Sequence, residues 1–263
     1  MNRETAMTTH PLSSAAEQQF ADDGFVIIPS VLDTEVCLAL TRALQAELDP
    51  LLGPVEFEAD VGYPGAPANL EAPGGATPRR LLNAFTRSDS LRELALNPQV
   101  GSILKRLLNA QSVGMSQCHH NCVMTKHPGY SSATLWHQDM RYWSFDRPEL
   151  ISAWFALGDE VASNGALRVI SGTHNHRIDR GRLDKDLFLR PELDDNQVLI
   201  ERAQTVALNP GDVLLFHCRL FHAAGRNVED VIKLSPVFTY HALDNRPIPN
   251  TRSDRLPSII LGS

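Results

Sequence analysis

The sequence lacks the charge pattern of a nucleic-acid-binding protein. Its 24 Lys and Arg residues form no long basic run, and together with 31 Asp and Glu residues they give a formal net charge of -7 at pH 7. Proteins that bind DNA or RNA ordinarily concentrate positive charge in a patch or stripe. We therefore expect no nucleic-acid partner, and salt-sensitive retention of DNA by the purified protein would contradict this expectation.

Signals for secretion and for a disulfide scaffold are also missing. Residues 1–20 are polar and contain no hydrophobic signal segment. The cysteines are few and spread along the chain: Cys37, Cys118, Cys122 and Cys218. A zinc site built on the Cys-x-x-x-Cys spacing would need a second pair of ligands that the sequence does not supply, so buried thiols are favoured. We expect a cytoplasmic protein with no membrane partner.

Length and composition are those of an ordinary globular protein. The 263 residues are 43% hydrophobic and 21% charged, while aromatic residues make up only 6% and offer no distinctive ligand-binding surface. Internal repeats and low-complexity tracts are not apparent. We expect a single domain (residues 1–263), in which a helical N-terminal part of about residues 13–110 packs on a β core of about residues 112–243.

The first part of the chain predicts helices and one strand. A capping-box pattern at residues 14–17 starts a short helix that ends near Gly24, and an apolar strand follows at residues 24–28. Over residues 33–50, apolar side chains recur every four positions, which predicts an amphipathic helix.

A long loop and a second amphipathic helix precede the strands. Residues 50–78 contain six prolines and five glycines, which predicts a loop without regular structure. A helix then begins at Pro98, with Asn97 as its cap. Predicted strands follow at residues 113–126, 133–138, 150–157, 166–170, 204–208, 213–218 and 231–241. Helices followed by many strands favour a mainly β protein with flanking helices, and the jelly roll is the economical choice.

The chemistry-bearing pattern is His137-Gln138-Asp139, with His222 following 85 residues later. Residues two apart on a strand project from the same face, so His137 and Asp139 would present an imidazole and a carboxylate side by side. Two histidines and one carboxylate on one face of an octahedral ion leave the opposite face open, as in non-haem Fe(II) oxygenases. The pattern therefore predicts a facial metal site.

Four motifs in a fixed order carry a family resemblance. They are Trp136-His137-Gln138-Asp139, Asn164-Gly165-Ala166-Leu167-Arg168-Val169-Ile170-Ser171-Gly172-Thr173-His174, Gly211-Asp212-Val213-Leu214-Leu215-Phe216-His217 and His222. With residues 22–29, they resemble the phytanoyl-CoA dioxygenase family of Fe(II)- and 2-oxoglutarate-dependent oxygenases. The resemblance implies a double-stranded β-helix, which is a cupin-like jelly roll, and His137, Asp139 and His222 as metal ligands. It also implies hydroxylation of a C–H bond of a small-molecule substrate by O2, with release of succinate and CO2.

The resemblance raises a question about the cosubstrate site. In this family an arginine eleven residues beyond the distal histidine usually pairs with the far carboxylate of 2-oxoglutarate, and here that position holds Lys233. A lysine neutralises the carboxylate but loses the bidentate geometry. Arg226 is the nearest substitute. We predict that Lys233→Ala raises the 2-oxoglutarate requirement sharply and that Arg226→Ala does not.

Further residues are candidates for the same site. Trp154 lies on the strand where the family often places an aromatic side chain beside the cosubstrate, and Asn121 is a candidate wall residue of the pocket. Alternation places Asn121 and Lys126 on opposite faces of their strand. His217 competes with His222 as third ligand, but the small residues that follow His222 match the family pattern.

Two other functions remain open. A zinc-dependent hydrolase or cupin-like isomerase could use the same three ligands, and a non-catalytic protein that binds a 2-oxo acid or a metal would explain the unusual Lys233. Halogenases of the superfamily lack the metal-binding carboxylate, so Asp139 favours hydroxylation. Arg141, Tyr142, Trp143 and Arg147 follow the metal motif and are candidates to meet an anionic or aromatic-compatible substrate.

Overall fold

The computed structural model describes residues 12–63 and 66–262. The α-helices are α1 (Ser14–Asp23), α2 (Thr34–Leu48), α3 (Ala84–Arg87), α4 (Asp89–Ala95), α5 (Pro98–Leu107) and α6 (Asp194–Glu201). The strands are β1 (Phe25–Ile28), β2 (Val55–Phe57), β3 (Pro78–Leu82), β4 (Val113–Lys126), β5 (Thr134–His137), β6 (Leu150–Phe155), β7 (Leu167–Val169), β8 (Gln204–Thr205), β9 (Val213–His217), β10 (His222–Ala224), β11 (Lys233–Ala242) and β12 (Ile259–Ile260). Across those residues, no helix combines the length and the apolarity that crossing a bilayer requires.

Local sequence signals explain where two helices begin. The hydroxyl of Ser13, one residue before the predicted capping position, accepts the N–H of Ala16 at 3.1 Å, and Gly24 ends α1 with a φ of 81°. At the start of α5, Oδ1 of Asn97 accepts the N–H of Val100 at 3.0 Å, which confirms the predicted cap. Each cap satisfies a backbone donor that the helix leaves free and contributes about 1 kcal/mol.

The strands form two antiparallel sheets. The larger sheet has the order β1-β9-β6-β11-β4-β3-β2, with β12 added beside β4, and the smaller sheet has the order β5-β10-β7-β8. Helices flank these sheets, so the predicted mainly β jelly roll is confirmed. The smaller sheet brings β5 and β10 together although more than 80 residues separate them in the sequence.

Side-chain alternation in β6 separates two hydrophobic clusters. Ala153 and Phe155 belong to the cluster that contains Leu44 of α2, on the helical side of the larger sheet. Trp154 belongs to a second cluster with Leu167 of the smaller sheet. Because successive strand residues point to opposite faces, Trp154 faces the space between the sheets.

The N-terminal part differs from the prediction. Within residues 50–78, β2 pairs with β3 and places Val55 opposite Leu81, and β3 in turn places Arg80 opposite Met124 of β4. A strand of three residues is too short to show a period of two, so the pattern of prolines and glycines concealed it. Together with β1, these strands make the N-terminal part a contributor to the larger sheet.

β4 carries the main irregularity of the larger sheet. The adjacent residues Phe238 and Thr239 of β11 lie opposite Asn121 and Ser116 of β4, so residues 117–120 form a bulge. One residue in this bulge has a positive φ of 62°. Bulges re-aim side chains that regular alternation would send elsewhere, and this one lies beside the candidate site.

Candidate metal centre and cavity

Two histidines face each other across neighbouring strands. His137 ends β5, His222 begins β10, and the two residues are paired in register with ring centroids 4.3 Å apart. Asp139 is the first residue of a short 3-10 helix, Asp139–Tyr142, rather than a continuation of the strand. Its Oδ1 lies 3.3 Å from Nε2 of His137 and 3.5 Å from Nε2 of His222. The fold therefore brings the three predicted ligands together.

Backbone carbonyls orient both imidazoles. Nδ1 of His137 lies 2.8 Å from the carbonyl oxygen of Leu135, and Nδ1 of His222 lies 3.1 Å from that of Leu220. Because a carbonyl oxygen only accepts, each Nδ1 carries the proton and donates it. The lone pair of each Nε2 is then directed at the group around Asp139, which is the tautomer that a metal ligand needs.

The electrostatics of this group fit a metal ion. Burial raises the pKa of Asp139, but the imidazoles of His120 and His222 outweigh burial and hold that pKa well below its ordinary value. Burial, assisted by His222, lowers the pKa of His137. Both oxygens of Asp139 are buried and have no hydrogen-bond partner among the described residues. An ionised carboxylate in so dry a place needs a cationic partner, and a divalent metal held by these residues provides one.

A third imidazole, which the sequence did not reveal, approaches the other oxygen of the carboxylate. Nδ1 of His120 lies 3.5 Å from Oδ2 of Asp139 and 3.3 Å from Oγ of Ser152. Burial lowers the pKa of His120 to about 4, so its ring is neutral at physiological pH. His120 belongs to the bulge at residues 117–120, and no spacing rule applied to a regular strand would have selected it.

A cavity of about 50 Å³ lies above the three candidate ligands. Its lining includes the aromatic residues Tyr63, Tyr142, Trp154 and Phe216 and the cationic residues Arg79, Arg80 and Lys126. Trp154 lies in this wall, where the sequence predicted an aromatic residue.

Buried charges around the cavity are nearly balanced. Apart from the candidate ligand Asp139, the charged groups are the cations Arg79, Arg80, Lys126 and Lys233 and the carboxylates Glu56, Glu58 and Glu160. Four cations against three carboxylates leave one positive charge uncompensated. A buried charge without a partner is costly, so the cluster is suited to receive one more carboxylate.

Arg79 and Lys126 are the cations with unused capacity. Arg79 is 5% exposed, and its Nε has no hydrogen-bond partner in the described part of the chain. Among residues 12–63 and 66–262, Nζ of Lys126 donates only to neutral groups, the carbonyl oxygens of Ser132 at 3.1 Å and Gly225 at 2.5 Å. Burial, together with the positive charges of Lys233 and Arg79, lowers the pKa of Lys126 to about 7.

Lys233 lies in a buried ion pair. Its Nζ is 2.8 Å from Oε2 of Glu160, whose Oε1 accepts Nε1–H of Trp154 at 2.7 Å and the hydroxyl of Ser235 at 2.6 Å. Lys233 is paired in register with Lys126 of β4, so both side chains leave the same face of the larger sheet. Of the two, Lys126 lines the cavity.

Other predicted site residues lie outside this cavity. Oδ1 of Asn121 accepts the N–H of Phe85 at 2.8 Å, and Asn121 lines a different pocket. The prediction that Asn121 and Lys126 lie on opposite faces of β4 is correct. The cavity, however, lies on the face that carries Lys126. Arg226 is exposed in the loop after β10. Nδ1 of His217 accepts the N–H of Arg219 at 3.0 Å, away from the three ligand candidates.

The residues after the metal motif separate into different environments. Tyr142 lines the cavity. Trp143 is buried and donates its indole N–H to the carbonyl oxygen of Cys118 at 3.0 Å. Arg147 forms ion pairs with Glu149 and Asp244 at 2.9 and 3.1 Å on the surface.

Solved structures share this architecture. The epimerase SnoN from nogalamycin biosynthesis, solved with Fe3+, alpha ketoglutarate and nogalamycin RO, has a TM-score of 0.71 at 21% identity, covering 94% of this chain and 98% of that chain. EctD from Sphingopyxis alaskensis, solved with 2-oxoglutarate and 5-hydroxyectoine, has a TM-score of 0.70 at 20% identity, covering 90% and 79% of the two chains. At this level of identity the similarity shows a common fold.

Sequence comparison defines the family. The ectoine dioxygenase of Halomonas elongata is 26% identical over 270 residues, which cover 95% of this chain and 76% of that protein. The family model described as phytanoyl-CoA dioxygenase matches residues 20–233, from within α1 to the first residue of β11. This match spans most of the sequence and contains all three candidate ligands. The chain therefore belongs to the phytanoyl-CoA dioxygenase family.

Proposed function

We propose that the protein is an Fe(II)- and 2-oxoglutarate-dependent oxygenase that hydroxylates a C–H bond of a small molecule and releases succinate and CO2. The observation that carries this proposal is the buried group of His137, Asp139 and His222, in which both carboxylate oxygens have no hydrogen-bond partner among the described residues. Membership of a dioxygenase family supports it, as do structural neighbours solved with iron and alpha ketoglutarate.

His137, Asp139 and His222 are the proposed metal ligands. Fe(II), when bound with 2-oxoglutarate and O2, supplies the oxidising chemistry for hydroxylation. The chain contributes orientation: carbonyl oxygens hold both ligand imidazoles by Nδ1, and His120 lies against the second oxygen of Asp139. His137, Asp139 and His222 would hold the ion from one side and would leave it accessible from the cavity that they line.

Charge balance favours a dianion in the cavity. A divalent ion beside the single negative charge of Asp139 leaves one positive charge, and the cluster of four cations and three carboxylates leaves another. The two carboxylates of 2-oxoglutarate compensate both charges, one at the metal and one at the cationic cluster. The aromatic side chains of the wall exclude water and so strengthen these interactions.

Lys126 and Arg79 are the proposed partners of the far carboxylate. Lys126 lines the cavity and donates to carbonyl oxygens, while Nε of Arg79, which lies 3.6 Å from Oε1 of Glu56, makes no hydrogen bond among the groups described. Lys233 supports the site indirectly, because it holds Glu160, and Glu160 fixes the indole of Trp154 in the cavity wall. Asn121 and Arg226 have no direct contact with the cosubstrate in this proposal.

The proposal extends to the organisation and location of the protein. Residues 1–263 would act as one catalytic domain, since strands from both halves of the chain build the larger sheet. The four cysteines are unpaired thiols, which suits the reducing cytoplasm. O2 and a small-molecule substrate are the other reactants.

Substrate-stimulated release of succinate tests the reaction. The purified protein, reconstituted anaerobically with Fe(II), is expected to convert 2-oxoglutarate to succinate when O2 and a substrate candidate are added, and zinc is expected not to replace iron. Hydrolysis supported by zinc without succinate would favour the zinc-dependent hydrolase. Binding of 2-oxoglutarate without turnover across a broad substrate panel would favour the non-catalytic binding protein.

A further inference from the structure

A second cavity lies beside the ligand-bearing segments and is much larger than the first. Its volume is about 750 Å³, within the range of about 300–1,000 Å³ typical of small-molecule sites. Three arginines line it, namely Arg141, Arg177 and Arg219. We refer to this cavity as the arginine cleft. Because the described residues that line it include no Asp or Glu, it differs from the charge-balanced cavity above the metal ligands.

The guanidinium groups of the arginine cleft have no acidic partners. Within residues 12–63 and 66–262, no carboxylate lies within 4.0 Å of Arg141, Arg177 or Arg219. Arg219 donates to the carbonyl oxygen of His176 at 3.2 Å. In a chain with a net charge of -7, three cations in the lining of one cavity attract an anion.

The cleft is built on the same segments as the metal site. Arg141 follows Asp139 by two residues in the 3-10 helix, and Arg219 precedes His222 by three residues in the turn between β9 and β10. The side chain of Gln138 joins these segments, because it donates to the carbonyl oxygen of Arg219. A ligand in the cleft is therefore held at a fixed position relative to the metal ligands.

Two aromatic side chains, Phe188 and Tyr142, lie close to both Arg141 of the cleft and the candidate ligand His137. The guanidinium carbon of Arg141 lies 4.1 Å from the centre of the Phe188 ring, and that ring lies 5.7 Å from the ring of His137. Phe188 is also 5.6 Å from Tyr63 in the wall of the inner cavity. The guanidinium carbon of Arg141 also lies 5.1 Å from the centre of the Tyr142 ring, and that ring lies 6.0 Å from the ring of His137.

Apolar side chains complete the cleft. Met140, Ile178, Leu183 and Leu187 belong to its lining, and Met140 is 38% exposed. Guanidinium groups pair with carboxylates and phosphates through two parallel hydrogen bonds. A cleft that combines such groups with apolar side chains recognises a molecule with an oxyanion at one end and an apolar body.

We propose that the arginine cleft binds the oxyanion group of an amphiphilic carboxylate or phosphate, and that this molecule is the substrate. The assignment of this ligand as substrate rests on the proposed oxygenase function. The cleft itself makes a binding prediction that needs neither iron nor 2-oxoglutarate.

Direct binding to the metal-free, full-length protein tests this proposal. Decanoate, decyl phosphate and uncharged decanol are titrated calorimetrically without 2-oxoglutarate. We expect one or both oxyanions to bind at least about tenfold more tightly than decanol, since a charge-assisted hydrogen bond contributes enough for a tenfold effect. Tighter binding of decanoate identifies a carboxylate as the preferred group, and tighter binding of decyl phosphate identifies a phosphate. Equal binding of decanol, or no binding of any probe, overturns the proposal.

Variants locate the binding in the cleft. The double variant Arg177→Gln/Arg219→Gln is expected to lower oxyanion affinity about tenfold or more, and Arg226→Gln, at an exposed arginine outside the cleft, is expected to leave it unchanged. If the double variant melts at a lower temperature than the wild type, the single variant Arg177→Gln, at an exposed position, replaces it. Unchanged affinity in a folded cleft variant overturns the proposal.

The two proposals fail separately. Cosubstrate turnover by an enzyme whose cleft binds no oxyanion rejects the cleft and leaves the oxygenase function standing. Oxyanion binding in the cleft of a protein that never produces succinate rejects the oxygenase function and, with it, the assignment of the ligand as substrate.

Discussion

The two cavities beside the metal-binding segments differ in the charged side chains that surround them. The inner cavity measures about 50 Å³, and four cations around it face three carboxylates. The arginine cleft measures about 750 Å³ and has three arginines in its lining without any Asp or Glu. A small, nearly neutral cavity selects one ligand of fixed size and charge, which suits a cosubstrate. A wide cationic cleft attracts oxyanions and leaves room for variation in the rest of the ligand, which suits a substrate.

The largest expected effect removes the metal from the inner cavity. Asp139→Asn replaces the ionised ligand by a neutral amide. We expect the affinity for Fe(II) to fall by at least about 100-fold, because the loss of a group that contacts only a ligand already lowers affinity by about 10–100-fold. Equilibrium dialysis with metal analysis measures this loss. Asp186→Asn, at an exposed carboxylate, is the control. Oxyanion binding in the arginine cleft should persist in both variants, and retention of normal iron affinity by Asp139→Asn would remove Asp139 from the metal site.

The next effect concerns the buried ion pair behind the inner cavity. Lys233→Met leaves Glu160 buried without its cation, and such a loss typically lowers the free energy of unfolding by about 3–5 kcal/mol. Urea denaturation measures the change. The double variant Lys233→Met/Glu160→Gln should recover much of the loss, since no uncompensated charge remains.

The Lys233→Met variant also tests the prediction, made from the sequence alone, that Lys233 binds 2-oxoglutarate directly. A sharp rise in the 2-oxoglutarate requirement of Lys233→Met or Lys233→Ala, with unfolding unchanged, would mean that Lys233 meets the cosubstrate directly. The indirect role that we propose predicts that the loss of stability accompanies any loss of affinity.

A smaller effect is expected when a cation of the inner cavity is removed, and it should weaken the binding of 2-oxoglutarate alone. Lys126→Met removes a cation of the inner cavity, so the dissociation constant of 2-oxoglutarate should rise by about tenfold or more. The affinity of the arginine cleft for decyl phosphate should not change. Arg226→Ala is the matched control and should bind both ligands as the wild type does. Equal weakening of both ligands by Lys126→Met would mean that the two cavities are one site.

The smallest effect is a pH dependence confined to the inner cavity. With a pKa of about 7, Lys126 is positively charged below that pH and neutral above it. A bound carboxylate favours the charged form, so 2-oxoglutarate affinity should be greatest below about pH 7 and decline as the pH rises. Lys126→Arg should flatten this decline, since arginine stays protonated. A decline of equal steepness in Lys126→Arg would assign the titration to another group.

The sequence predicted well the elements whose signals are local and the site residues whose motifs occur in a fixed order. The cap at Asn97, the long strand β4 and the grouping of His137, Asp139 and His222 all followed from spacing, motif order and chain patterning. The predicted strand at residues 133–138 is one residue longer at each end than β5, and Asp139, which we expected to continue the extended segment, begins a 3-10 helix.

The features that escaped prediction depend on contacts between distant segments. His120 reaches Asp139 through a bulge that interrupts alternation in β4. Arg79 reaches the cavity because β3 pairs with β4, and a loop rich in proline and glycine concealed that pairing. The choice of Lys126 over Asn121 required knowledge of which face of β4 meets the smaller sheet. Alternation separates two faces of a strand but does not say which of them lines a cavity.

The most direct test of the central claim is an anaerobic titration of Fe(II) into the metal-free protein in the presence of 2-oxoglutarate, followed by visible absorption. Chelation of the iron by the oxo acid produces a weak metal-to-ligand charge-transfer band. We predict that this band appears at one equivalent of Fe(II) in the wild type and is absent in Asp139→Asn. Iron that binds to the wild type with no band at saturating 2-oxoglutarate would contradict the account.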